Sequence, residues 1–100
     1  LGFLVMEAEK GSIGEVINGQ KWQIATSPTG FAGDGALVTT PNLGSTISLN
    51  IEANSPSFSI PAQFQKTGKF YVWLRVWAAN GADNSIHVGI DGNVFYTSDK

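Results

Sequence analysis

The chain has no cysteine. That removes a disulfide framework, a thiolate zinc site and a cysteine nucleophile. Charge is also scarce: 14% of the 100 residues are Asp, Glu, Lys or Arg, where soluble domains average about 25%. With a net charge of −2, no basic surface is available for nucleic acid or for an anionic membrane. No segment sustains apolar residues at i, i+3 and i+4, so no substantial helix is expected. Residues 1–6 are apolar, but they lack a basic flank and are too few to span a bilayer. His87 is the single histidine. It is expected on the polar face of a strand, with no metal partner.

The length and the composition point to one domain, residues 1–100, with a core that buries about 60–70% of the unfolded surface. Hydrophobic residues make up 42%, and Gly, Ser, Thr and Asn occupy the places that charge leaves. These residues favour turns and strand surfaces. Apolar residues recur with period two. Leu4, Met6 and Ala8 alternate with Val5, Glu7 and Glu9, and Ile47, Leu49 and Ile51 alternate with polar neighbours. Phe58 and Ile60 repeat the pattern, as do Ile86, Val88 and Ile90, and residues 93–97 read as one more strand. The clearest case is residues 69–78, where Phe70, Val72, Leu74 and Val76 share one face. Asn18-Gly19, Asp91-Gly92 and several Gly- or Pro-containing clusters mark the turns between them. Short strands punctuated at this spacing predict an all-β fold, a two-sheet antiparallel β-sandwich of the jelly-roll kind.

The face opposite the aliphatic one on residues 69–78 carries Tyr71, Trp73, Arg75 and Trp77, because successive side chains alternate. Two readings suit it. In one, loops cover this face and its residues are structural. In the other, an indole offers a flat apolar surface to a sugar ring, while nearby amides bind hydroxyls. Trp77 lies nearest the loop at residues 78–84, which brings Asn80 and Asn84 into consideration with it.

Glu7 and Glu9 sit at i and i+2 of the expected first strand, with Cα atoms roughly 6.5–7 Å apart on one face. Unpaired carboxylates so placed repel unless a cation lies between them. Calcium suits them, because it takes about 6–8 hard oxygen ligands in loose geometry. Two solvated acids near a terminus are the plainer alternative. The loop at residues 30–35, Gly-Phe-Ala-Gly-Asp-Gly, presents Phe31 among three glycines. It serves either as an apolar plug or as a platform for a ligand. No Lys-Ser/Thr pair follows it and no helix begins there, so it is not a phosphate cradle. The acids Glu15, Glu52, Asp34, Asp83, Asp91 and Asp99 are scattered. None forms the pair of opposed carboxyls that a glycosidase requires, and no catalytic activity is expected.

Taken in order, Glu7-Ala8-Glu9, the 30–35 loop, Gly68-Lys69-Phe70-Tyr71-Val72-Trp73-Leu74-Arg75-Val76, Asp83-Asn84-Ser85 and Ile90-Asp91-Gly92 resemble the carbohydrate-binding modules of families 6 and 35. The resemblance spans residues 6 to about 96. It implies a jelly roll, a structural calcium held in part by Glu7 and Glu9, and a sugar site in the loops at one end. There Phe31, in place of the Tyr common in the family, stacks on the sugar. Trp73 and Arg75 match an element of the family that is mostly structural. Such modules continue into strands that carry a second stacking Trp, an Asn for the sugar and an Asp for calcium, and Lys100 precedes that region. The expectation is therefore a sandwich lacking its C-terminal strands, with an unpaired sheet edge open to self-association. The implied function is a secreted, non-catalytic module that targets an appended polysaccharide-degrading enzyme to its substrate. Phe31, Trp77, Asn80 and Asn84 are the candidate ligand residues. The alternative is a structural or adhesive sandwich domain without sugar affinity.

Overall fold

Two reversals set the local architecture. Asn18 and Gly19 both take positive φ (51° and 80°), and Ile17 and Gln20 exchange backbone hydrogen bonds of 2.9 and 3.0 Å across them. Asp91 and Gly92 repeat the combination with φ of 52° and 85°. Positive φ at both central residues gives a turn whose twist matches that of paired strands, hence the Asn-Gly and Asp-Gly signatures. The computed structural model describes residues 3–98. The strands are β1 (Ser12–Ile13), β2 (Lys21–Ala25), β3 (Ala36–Thr40), β4 (Phe58–Ser59), β5 (Ile86–Ile90) and β6 (Asn93–Ser98). A one-turn helix α1 (Ile51–Asn54) and a 3-10 turn at Ala8–Lys10 complete the elements. The fold is all-β, built from antiparallel pairs β1–β4, β2–β3 and β5–β6, with no closed barrel among the described residues. No described helix is long and apolar enough to cross a membrane.

The chain forms two compact units. The first comprises Leu1–Pro41 and Pro56–Tyr71, the second Asn42–Ser55 and Val72–Lys100. In the first, β2 and β3 pair from Lys21↔Thr40 to Ala25↔Ala36. Trp22 leaves this ladder to meet the other. Its ring stands edge-on to Phe58 of β4, with centroids 4.9 Å apart and planes at 77°. Its indole Nε1–H donates to the carbonyl of Pro56 at 3.0 Å, and Pro56 is itself buried. An aromatic edge contact and a satisfied indole N–H together fix the ring. Phe64 and Phe70 form a second ring contact in this unit, at 4.3 Å.

In the second unit the β5–β6 ladder slips register between Val88 and Gly89, from Val88↔Tyr96 to Gly89↔Val94. This is a β-bulge. A Cβ at Gly89 would come within 2.5 Å of the Asn93 carbonyl oxygen, so the bulge uses the absence of a side chain. The Glu52 carboxylate of α1 accepts from the Val94 N–H at 3.0 Å, occupying a donor on β6. Hydrogen bonds from its own backbone N–H and from Val94 hold the Glu52 carboxyl below its ordinary value. His87 Nε2–H donates to the Ile47 carbonyl at 2.8 Å, and Asn42 Nδ2–H donates to Asp83 Oδ1 at 2.9 Å.

Three expected strands take other forms. Residues 69–78 join none of the ladders, and Phe70, Val72, Leu74 and Val76 are exposed instead of lining a core. Alternation specifies which face a strand would bury, but a strand exists only where a partner supplies the ladder. Residues 4–7 likewise join no ladder, and the chain closes at once into the 3-10 turn through Lys10 N–H to Glu7 O and Gly11 N–H to Ala8 O, at 3.1 and 3.0 Å. The alternation ending at Ile51 runs into α1. No described hydrophobic side chain is fully buried. Asp99 lies outside the described residues.

The bulge gives a direct test. Gly89→Ala introduces an overlap of the kind that costs about 1–3 kcal/mol in packed sites. Gly81→Ala, where a Cβ meets nothing within 4 Å, should be close to neutral. Urea unfolding midpoints of the two variants should separate accordingly, and equal midpoints would remove Gly89 from any structural role.

Candidate functional site

The 30–35 loop connects β2 to β3, and the turn carrying Glu9 and Lys10 precedes β1, so the first unit brings two parts of the chain to one place. Gly33, with φ of 69°, marks it. A Cβ built on Gly33 would collide with Glu9 Oε1 and lie 3.6 Å from the Glu7 carboxyl carbon. Both carboxylates therefore close over the same point of backbone, and only glycine combines that approach with that φ. The Asp34 N–H donates to Glu9 Oε1 at 3.1 Å. Lys10 Nζ donates to Asp34 Oδ2 at 2.6 Å and forms an ion pair with it.

The ammonium of Lys10, hydrogen-bonded to Asp34, holds the Asp34 carboxyl below its ordinary value, and Asp34 raises Lys10 in return. Asp34 thus contributes above the ordinary carboxylate range, and its contribution is lost as pH falls through the lowered folded value. Lys10 contributes below the ordinary ammonium value, and its contribution is lost as pH rises through the raised one. The pair holds across the whole neutral range. Both groups are exposed, so solvent screens the attraction and the tie orients the loop more than it stabilises the fold.

Glu7 and Glu9 do not lie on the flat strand expected of them: Glu7 leads into the 3-10 turn and Glu9 lies in it, and both carboxyls approach Gly33. Their oxygens are the hard donors that calcium accepts. Among the described residues no group of three or more His, Cys, Asp or Glu side chains could hold a metal ion. The pair therefore suits calcium chemically while supplying only two side chains, and backbone carbonyls would have to complete the set. Phe31, half-buried, stands two residues before Gly33 in the same loop. By sequence alone Asp34 reads as a turn acid. The signal that could have identified its role is Lys10, one of only six basic residues, placed directly after two glutamates.

Trp77, Asn80 and Asn84 belong to the second unit. Trp77 is exposed, and Asn84 is half-buried. Asn80 forms a local turn: its Oδ1 accepts from the Ala82 N–H at 2.8 Å and its carbonyl accepts from the Asp83 N–H at 3.1 Å. Its Oδ1 is committed to the backbone of its own turn.

Removing the cation while keeping the side-chain bulk tests the electrostatics. In Lys10→Met the Asp34 carboxyl, followed by NMR titration, should shift its midpoint upward toward the ordinary value. An unchanged midpoint would separate the two residues in solution.

Compared with family models, with curated proteins and with solved structures, the chain matches none.

Proposed function

We propose that the chain is a non-catalytic carbohydrate-binding module of the jelly-roll kind, exported with an appended polysaccharide-degrading enzyme and holding that enzyme against its substrate. The observation that supports the reading best is the 30–35 loop, which carries Phe31 two residues before Gly33, the point that the Glu7 and Glu9 carboxylates approach. The order of the sequence motifs supports it independently. Phe31 would pack on the C–H face of a pyranose ring. In the second unit Trp77 would offer another flat surface, and Asn80 Nδ2 and Asn84 would meet hydroxyls. The function asks no proton transfer of these residues; they bind and orient.

Glu7 and Glu9 would hold a structural calcium whose chemistry is to neutralise the two carboxylates and brace the loop. Chelator should then lower the melting temperature and calcium restore it. At a hundredfold excess over Kd the expected gain is about 2.7 kcal/mol. Glu7→Gln combined with Glu9→Gln should abolish the calcium response. A melting curve indifferent to calcium would leave the two acids as ordinary surface groups.

A structural or adhesive domain without sugar affinity is the second reading, favoured by the half-burial of Phe31 and by the commitment of Asn80 Oδ1 to its turn. Affinity electrophoresis through gels holding plant, algal or bacterial polysaccharides separates the two. The module reading expects retardation by at least one polymer, weakened up to about tenfold in Phe31→Ala if the ring contributes the 0.5–1.5 kcal/mol typical of aromatic stacking. Unretarded migration in every gel would favour the structural reading.

A further inference from the structure

Of the asparagines in the chain, Asn18 and Asn80 precede glycine, whereas Asn42, Asn50, Asn54, Asn84 and Asn93 precede residues that carry a Cβ. An Asn-Gly pair sets a side-chain amide beside a backbone nitrogen that no side chain of its own residue shields. The two pairs are held differently. Asn18 and Gly19 are the central residues of a hairpin turn, at φ of 51° and 80°, and Ile17 and Gln20 close it with two backbone hydrogen bonds. Asn80 and Gly81 are exposed and lie outside the ladders. A Cβ on Gly81 would meet nothing within 4 Å. The Ala82 N–H donates to Asn80 Oδ1 at 2.8 Å, which folds the side chain back across the Gly81 peptide.

We propose that Asn80 is a site of self-modification, converted from amide to acid by attack of the Gly81 backbone nitrogen on its side chain. The Gly81 nitrogen gives up its proton to water and bonds to Asn80 Cγ. The Cγ–Nδ2 bond breaks, and that nitrogen takes up a proton and leaves as ammonia. Water then opens the resulting cyclic imide. Addition at Cγ yields aspartate at position 80; addition at the backbone carbonyl yields isoaspartate, with the main chain routed through Cβ and Cγ. Negative charge develops on Oδ1 as the new bond forms, and the Ala82 N–H already donates to that atom, as an oxyanion donor does. The turn also holds nitrogen and carbonyl close before they react. Asn18, by contrast, must swing the Gly19 nitrogen out of a turn that two backbone bonds close. Asp34-Gly35 and Asp91-Gly92 offer the same kind of nitrogen, but an ionised carboxylate accepts it poorly. Isoaspartate lengthens the chain inside the turn that Asn80 O and Asp83 N–H close at 3.1 Å. The reaction does not depend on what the chain binds.

Ageing the full chain in mildly alkaline buffer tests the proposal. Tryptic peptides 11–21 and 76–100 each contain one of the pairs, and fragment ions in mass spectrometry assign the converted residue. Asn80 should convert several-fold faster than Asn18, to both aspartate and isoaspartate. The rate should rise with pH, because the attacking nitrogen must lose its proton. In denaturing urea the two rates should draw together, since the fold is what separates the pairs. Gly81→Ala, shown to be folded by circular dichroism, should slow conversion at Asn80 several-fold and leave Asn18 unaltered. Equal rates in the folded chain, a faster Asn18, or a preference for Asn80 that persists in urea would each overturn the proposal.

Discussion

The indole of Trp22 is the contact on which the first unit depends. It sits on β2, its edge meets Phe58 of β4, and its N–H reaches the Pro56 carbonyl. One side chain therefore joins the β2–β3 ladder to the β1–β4 ladder. The consequence reaches the candidate site. The turn with Glu9 and Lys10 leads into β1, and the loop with Phe31, Gly33 and Asp34 joins β2 to β3. Holding the two ladders together holds that turn over that loop, and the Glu9–Asp34 and Lys10–Asp34 bonds then settle the local geometry.

The second unit is organised differently. A single hairpin, β5–β6, is braced by side chains bonding to backbone: Glu52 to the Val94 N–H, and His87 to the Ile47 carbonyl. These bonds occupy groups that a wider sheet would satisfy with further strands. Both units rely on ladders and polar ties, since no described hydrophobic side chain is fully buried.

What was legible in the sequence was local. Asp91-Gly92 between two alternating runs predicted the β5–β6 hairpin, because positive φ at both positions is a property of those residues themselves. Asn18-Gly19 was legible for the same reason. β2 and β3 were not picked out: Lys21-Trp22-Gln23-Ile24-Ala25 alternates, but Ala36-Leu37-Val38-Thr39-Thr40 carries apolar residues on both parities, and only the ladder assigns their faces. The spacing of Glu7 and Glu9 posed a charge problem in the sequence, but their approach to Gly33 depends on a contact across more than twenty residues, which no short-range pattern encodes. Residues 69–78 mark the limit most clearly. Their alternation is the strongest in the chain, yet pairing is a property of two segments, and the sequence describes one.

The most direct measurement is amide chemical-shift mapping of the labelled chain titrated with a mixed oligosaccharide digest of plant cell-wall polysaccharide. The account predicts perturbations concentrated at residues 30–35 and spreading to 7–10, because a sugar on Phe31 would move the loop to which Glu9 and Lys10 are bonded. Perturbations that leave residues 30–35 untouched, wherever else they fall, would contradict it.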